Sequence, residues 1–326
     1  MEKKYVLIIG SSNMDLNIYS KRLPQPGETV TGGTFSKSLG GKGANQAVAA
    51  ARAGSKVLFM GKIGRDEFGD EMISQLSKEG ITTDFIIRDE HEHSGVAFIM
   101  IDENGENMIS VAPGANATLS KEEIDKHAEI IKSASSIVVQ MEIPIETITE
   151  VFDIAMEGKA TKILNPAPLK PVPPKVLKKI DIIVPNEGEL FRLHSLLGFK
   201  TYKDESGLSL SERILKACED ISTFGVEYII TTLGSKGSML YDHSSKEMKK
   251  IPAFKVDAVD TVGAGDCFNG VLASCLSKNS SITDAVKAAT SAASIAVTRK
   301  GAQNSMPYQN EIKNRMKEYN KIIKIL

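Results

Sequence analysis

Nine residues, Asp260-Thr261-Val262-Gly263-Ala264-Gly265-Asp266-Cys267-Phe268, combine the groups that phosphoryl chemistry needs. They follow an expected strand over 248–256 and open an apolar helix expected from Ala264 toward Leu276. Gly263 and Gly265 permit a tight turn and let backbone N–H groups come close to another molecule. The first amides of a helix lack intrahelical partners, and the helix dipole favours negative charge there. Asp266 would then stand beside an anion-binding cup. The amides would hold a moving phosphoryl group while the carboxylate takes the proton of an attacking hydroxyl. A glycine turn followed by an ordinary acidic helix cap fits the same nine residues.

Other polar groups fall where strands are expected to end. The apolar run Tyr5 to Ile9 reads as a strand buried on both faces, and Ser11-Ser12-Asn13-Met14-Asp15 follows it. Open α/β sheets bind ligands at such ends, so Asn13 and Asp15 are ligand candidates, although both types also make turns. Gly40-Gly41-Lys42-Gly43-Ala44-Asn45 opens a small-residue helix over 44–53. It fails the P-loop pattern, because Ser36 and Gly43 occupy the required Gly and Ser/Thr places. It fails the dinucleotide fingerprint at Gln46. What remains is a helix start with bare backbone, suited to a polyol or a small anion. Glu142 directly follows an expected strand over 136–140. Asn186 and Glu189 share a helix face, with the spacing of an Asn cap and its capping-box Glu. The loop Leu233-Gly234-Ser235-Lys236-Gly237 fits either nucleotide phosphates or a tight hairpin turn. His91 and His93, set among Asp89, Glu90 and Glu92, read as a solvated turn in preference to a metal pair.

The elements that position these groups alternate strand and helix along most of the chain, which argues for a mostly parallel sheet covered by helices on both faces. Helices are expected over 68–76, 120–132, 145–157, up to 224, and 281–298, the last closed by a glycine cap at Gly301. Two alternating runs, 95–101 and 108–112, are joined by Asp102-Glu103-Asn104-Gly105, a hairpin signal. With no partner helix, the hairpin is expected to leave the main sheet and pair with the extended stretch 15–38. One α/β domain over 1–326, with a discontinuous β lid from about 15–38 and 94–112, is therefore expected. The loop over 165–174 holds five prolines and reads as a stiff loop within that domain. Residues 198–210 are polar and read as a surface insertion.

The chain has 326 residues, 41% hydrophobic and 25% charged, an ordinary globular composition. Lys plus Arg is 40 and Asp plus Glu is 41, a net charge of −1 that lowers the weight of nucleic-acid and membrane-surface partners. No stretch approaches a spanning helix. The three cysteines, Cys218, Cys267 and Cys275, have no disulfide or ligand spacing. The N-terminal residues run directly into the first strand with no signal-peptide pattern, so a reducing cytoplasm is expected.

Together these motifs resemble the ribokinase-like carbohydrate kinase family, which includes fructokinase and adenosine kinase. The likeness runs from Gly10 to Pro307. It rests on Gly-Ser-Ser-Asn-Met-Asp at 10–15, Pro-Gly-Glu-Thr-Val at 26–30, Gly-Gly-Lys-Gly-Ala-Asn-Gln-Ala at 40–47, Asp260 to Phe268, and Val-Thr-Arg-Lys-Gly-Ala-Gln at 297–303. The resemblance implies phosphorylation of D-ribose at O5 by ATP with Mg²⁺, the alternative being a deoxyribokinase or another pentose or hexose kinase. It implies Asp266 as catalytic base, with the amides of Gly263, Ala264, Gly265 and Asp266 as the anion hole. Asn13, Asp15, Gly41, Lys42, Asn45 and Glu142 match sugar-contacting positions. Asn186 and Glu189 match the motif that positions Mg²⁺ and phosphate, largely through water. Thr232 to Gly237 match the nucleotide loop. Thr290 stands where the family often has His or Asn near the adenine.

The resemblance further implies an activating monovalent cation, usually K⁺, at Asp260, Val262, Ala296, Arg299, Gly301 and Ser305. A lid closing over ribose would exclude water, and an apolar outer lid face would pair with its copy in a homodimer. A sugar-binding sensor without catalysis is the rival from another class; the intact Asp266, both glycines, Asn186 and Glu189 argue against it.

Overall fold

A computed structural model describes residues 4–200 and 207–323. The elements run, in chain order, β1 (Val6–Ile9), β2 (Asn13–Tyr19), β3 (Thr34–Gly40), α1 (Lys42–Arg52), β4 (Val57–Gly64), α2 (Glu67–Lys78), β5 (Thr82–Asp89), β6 (Gly95–Ile101) and β7 (Asn107–Ala112). After a 3₁₀ turn come α3 (Lys121–Asp125), α4 (Ala128–Lys132), β8 (Ser136–Val139), α5 (Ile145–Ala155), β9 (Thr161–Leu164), α6 (Pro174–Leu177), β10 (Ile182–Ile183) and α7 (Glu187–Leu196). The remainder is α8 (Leu210–Ser222), β11 (Tyr228–Thr232), β12 (Ser238–Asp242), β13 (Glu247–Ile251), α9 (Ala264–Leu276), α10 (Ile282–Ala296) and α11 (Gln309–Ile323).

The main sheet has the order β13-β12-β11-β10-β9-β8-β1-β4-β5. It is parallel from β11 through β5, with β12 and β13 added antiparallel at one edge. Within it β1, between β8 and β4, is fully buried along Val-Leu-Ile-Ile. Successive side chains of a strand point to opposite faces, and β1 feeds two cores in that way. Leu7 and Ile9 join the cluster under α5, α7 and α8. Val6 and Ile8 join the cluster under α1, α9 and α10. Each such side chain contributes about 1.5–3 kcal/mol by leaving water. The alanines of α1 and α10 let those helices and α9 approach closely: Ala47, Ala49, Ala50, Ala285, Ala289 and Ala292 are all fully buried. A Cβ on Gly270 of α9 would lie 2.3 Å from the Gln46 carbonyl oxygen, so the α1–α9 approach requires glycine there. The mixed α/β architecture read from the sequence is the one observed.

A second sheet, β3-β2-β6-β7, stands apart from the first. The strand β2 leaves directly from the end of β1, pairs with β3 and β6, and β6 turns back as β7. This is the hairpin and extended stretch expected to form a separate sheet.

Several expected boundaries differ. The strand expected over 248–256 ends at Ile251, because Pro252 has no N–H to continue the ladder. The helix expected over 120–132 is two short helices. The chain tightens at His127, whose N–H bonds the Ile124 carbonyl at 2.9 Å and whose ring meets Phe85 edge-on. The last turn of α10 ends at Ala296, so Gly301 is not its cap; Gly301 sits in the following turn at φ 83°. Of the stretch read as an insertion, residues 201–206 lie outside the described residues, and Ser209 caps α8. Among the described residues no helix is long and apolar enough to cross a membrane.

Candidate active site

The polar groups singled out in the sequence converge along the carboxyl ends of the parallel strands, where open α/β sheets place ligands. Ser11 to Asn13 follow β1, Glu142 follows β8, Asn186 follows β10, and the 233–237 turn follows β11. The helix α9 points its amino end at the same edge. Asp266 is 7% exposed and lies in the first turn of α9. The Asn45 amide donates to its Oδ2 at 2.9 Å, and the Gln46 amide donates to its Oδ1 at 3.0 Å. Burial raises the Asp266 carboxyl above its ordinary value. Lys42 and the two amide bonds oppose that rise, and Glu142 adds to it.

The turn before Asp266 is built to leave amides free. Gly263 caps α9 in the left-handed region at φ 74°, which glycine adopts without strain. The Ala264 N–H bonds the Thr261 carbonyl and the Cys267 N–H bonds the Gly263 carbonyl. The N–H groups of Gly263, Gly265 and Asp266 have no partner among the described residues. Gly265 is a different case from Gly263. Its φ is not positive, and a Cβ there would meet nothing within 4 Å. Neither packing nor backbone geometry requires glycine at 265, so the open space over its Cα is the feature that glycine preserves.

The start of α1 departs from expectation. It is not bare backbone: the Lys42 N–H bonds Glu142 Oε2 at 3.0 Å, the Gly43 N–H bonds Ser11 Oγ at 3.4 Å, and the Ala44 N–H bonds the Ser11 carbonyl at 2.9 Å. Gly41 and Gly43 serve close packing, since a Cβ on either would come within 2.7 Å of the backbone at Ser11 to Asn13. Glu142, also bonded by the Ser11 hydroxyl, thus caps α1. The Lys42 ammonium is what this loop offers. Burial would lower its pKa, but Asp266, Glu142 and Glu189 together raise it, so it stays charged.

Asn13 and Asp15 sit at the start of β2, where the second sheet leaves the first. The Asn13 Oδ1 accepts from Asn116 Nδ2 at 2.8 Å, and Asn116 also bonds both backbone polar groups of Ser12. Asp15 is partly buried, and no donor among the described residues reaches its carboxylate. Burial, then Glu142 and Asp266, raise it to about 7.

Asn186 and Glu189 form a reciprocal capping box at the start of α7, at 2.9 and 2.8 Å. Burial raises Glu189, with Lys42 and Arg192 among the groups that oppose it. Thr232 bridges to Asn186, which brings the 233–237 turn beside this helix start. That turn joins the antiparallel strands β11 and β12 and exposes Gly234, Ser235 and Lys236. Thr290 is buried beside Ser238, 3.5 Å between hydroxyls. On the far side of α9, Asp260 accepts from the Val262 and Gly301 N–H groups at 2.9 and 2.8 Å. The Arg299 side chain turns away to Glu311, and Ser305 bonds the Ala302 carbonyl. Among the described residues no cluster of three or more His, Cys, Asp and Glu side chains forms a metal cage, and His91 and His93 are exposed.

Sequence reading missed Gln46, Gln140, Asn165 and Asn116. Each is a buried amide with at least one partner far away in the chain, which no local spacing announces.

The chain is similar to known proteins over nearly its whole length. The model of the pfkB family carbohydrate kinases matches residues 3–309. The chain is 37% identical over 309 residues to a ribokinase of Staphylococcus aureus, covering 94% of this chain and 98% of that one. It is 38% identical over 303 residues to a deoxyribokinase of Salmonella typhi, covering 93% and 95%. A solved structure of Arabidopsis thaliana ribokinase complexed with ribose and ATP superimposes with a TM-score of 0.88 at 31% identity, covering 96% and 99%. The chain belongs to the pfkB family of carbohydrate kinases. Within that family it is a sugar kinase of the ribokinase type, as the sequence motifs implied.

Proposed function

We propose that the protein transfers the γ-phosphoryl group of ATP to O5 of D-ribose, with Asp266 as the base. The observation that supports this most is a buried, doubly clamped carboxylate beside three N–H groups with no partner among the described residues. In this reading Asn13, Asp15, Gly41, Lys42, Asn45 and Glu142 line the sugar site. The unmatched oxygen of Asn45 and the bare carboxylate of Asp15 suit the hydroxyls of a furanose. A site built from such groups rejects sugars that leave them unpaired. The O5–H proton passes to Asp266 as the new O5–Pγ bond forms and the bond from Pγ to the β-phosphate oxygen breaks, releasing ADP. The amides of Gly263, Ala264, Gly265 and Asp266 frame the site of the moving group, and those with no protein partner hold its equatorial oxygens.

Asn186, Thr232, Leu233, Gly234, Ser235, Lys236, Gly237 and Thr290 would border the nucleotide. Mg²⁺ would neutralise charge on the ATP phosphates. Two capping-box side chains are too few for an all-protein cage, but Asn186 and Glu189 fit a water-mediated hold of the kind Mg²⁺ prefers. K⁺ would sit by Asp260, Val262, Ala296, Arg299, Gly301 and Ser305. The main-chain carbonyls of Asp260, Val262, Arg299 and Gly301 accept no bond among the described residues, which suits a large, weakly charged ion.

The second sheet acts as a lid over one continuous kinase domain. The face of that sheet opposite Asp15 carries Ile18, Phe35, Phe98 and Met108, each 43–62% exposed. A second copy covering it would make a homodimer. Three free cysteines suit a reducing cytoplasm. The second reading, a deoxyribokinase, is favoured by the Salmonella typhi relative. An ADP-release assay over a sugar panel, with and without K⁺, separates these readings. Ribose should give the highest kcat/KM, and turnover should fall without K⁺; a higher value on 2-deoxyribose would replace the substrate assignment.

A further inference from the structure

The Asp266 carboxylate is held from behind by a chain of buried amides. Gln140 Nε2 donates to Gln46 Oε1 at 2.7 Å. Gln46 Nε2 donates both to Asn165 Oδ1, at 3.2 Å, and to Asp266 Oδ1, at 3.0 Å. Asn165 Nδ2 donates to the Val184 carbonyl at 2.9 Å. Gln46 and Gln140 are fully buried, and Asn165 is 7% exposed. These groups come from α1, the end of β8, the end of β9 and the end of β10, so the chain ties the carboxylate to the centre of the sheet.

The directions follow from the Val184 carbonyl; Gln140, whose Oε1 has no partner among the described residues, follows Gln46. The Val184 carbonyl only accepts, so Asn165 turns its NH₂ to it and its oxygen to Gln46. Gln46 must then present its own NH₂ on that side, which is the side of Asp266. Turning Gln46 over would set its oxygen against the Asn165 oxygen and a carboxylate at once. The donation to Asp266 Oδ1 is therefore enforced from outside the site. Asn45 differs: its Oδ1 has no partner, so nothing but Asp266 fixes which end it offers to Oδ2.

We propose that Gln46, oriented by Asn165 and with its oxygen satisfied by Gln140, is a positioning residue that fixes Asp266 Oδ1 as an acceptor, keeps the carboxylate ionised, and leaves Oδ2 as the oxygen that takes the substrate proton. This rests on Asp266 being the base. A hydrogen bond to the charged form favours that form, and Gln46 supplies one that needs no reorganisation during turnover. The charged groups facing Asp266 are Lys42 from α1, Glu142 after β8, Asp15 from β2 and Glu189 from α7. None of them is altered by changes at Gln46 or Gln140.

The test is the acid limb of kcat against pH at saturating ribose and ATP, where bound sugar covers Asp15. Gln46→Met should move that limb up by about one pH unit, with kcat recovering on the alkaline side and ribose KM within a few-fold. Gln46→Glu should move it further, because two carboxyls then share one site. Gln140→Met, one bond further away, should move it in the same direction by less, and it carries the test if the Gln46 variants do not fold. A limb that stays in place in every variant that folds overturns the proposal, even if thermal stability falls. Asp266→Asn is assayed alongside. If it keeps its turnover, the base assignment fails; if it is inactive while the limb is unmoved, only the role of Gln46 fails.

Discussion

Replacing Asp15 by Asn will stabilise the sugar-free protein at about pH 8 while weakening its hold on sugar. The carboxyl is raised from 3.8 to about 7, first by burial and then by Glu142 and Asp266. In the unfolded chain it ionises near its ordinary value, whereas in the folded chain it ionises only near neutrality. Its contribution to stability is therefore fully present below pH 3.8, is lost as pH rises through about 7, and is flat above that. A rise of about three pH units corresponds to about 4 kcal/mol at most. Asp15 is only partly buried, and solvent screening reduces this to roughly 1–2 kcal/mol. The Asp15→Asn variant has no charge to desolvate. Its melting temperature should exceed that of the parent by roughly 1.5–3 °C at about pH 8, with the difference shrinking toward zero near pH 4. Ribose KM should rise at least about tenfold, because a charged acceptor for hydroxyls is lost. Thermal unfolding of both proteins across this pH range, with and without ribose, is the assay. A gain as large near pH 4 as at pH 8, or no gain at pH 8, would refute the reasoning.

Other predictions follow from single residues. Gly265→Ala should leave stability unchanged or raise it by up to about 1 kcal/mol, since a Cβ there meets nothing, yet lower kcat at least about tenfold by filling the space over the amides. Thermal melts and turnover together check it, and full activity would sink the assignment of that space to the moving group. Lys62 is 9% exposed and pairs with Asp89 and Glu123 at 2.8 and 2.9 Å. Lys62→Met should cost about 1–3 kcal/mol in denaturant unfolding, because Asp89 loses its ammonium partner but keeps the His91 and Glu92 N–H groups and the Thr118 hydroxyl; no measurable change would show the pair to be well solvated. Phe35→Lys combined with Phe98→Lys should convert a dimer to the 35.3 kDa monomer in light scattering, and a monomeric parent protein would contradict the lid interface.

The fold was legible because its signals are local. The apolar run ending at Ile9 reads as a strand buried on both faces, and the two glycines before Asp266 announce a helix start. Boundaries failed where one residue overrode a pattern: Pro252 stopped a strand, and the turn at His127 split a helix. The site was legible in its groups but not in its wiring. The glycines at 41 and 43 looked like an anion cup, yet the amides of Lys42 and Gly43 are taken by Glu142 and Ser11, 100 and 32 positions away. In the sequence Gln46 stood out only as the residue that breaks the dinucleotide fingerprint. Its partners stand 94, 119 and 220 positions from it, and only the folded chain brings them together.

The central claim is that Asp266 receives the proton of the sugar hydroxyl beside the amides of the α9 turn. Single-turnover phosphoryl transfer by Asp266→Asn, with ribose affinity measured separately by calorimetry, tests it most directly. The account predicts transfer slowed by about a thousandfold or more, with ribose affinity within a few-fold of the parent protein. Transfer at a near-normal rate from bound sugar, with affinity collapsed instead, would contradict it.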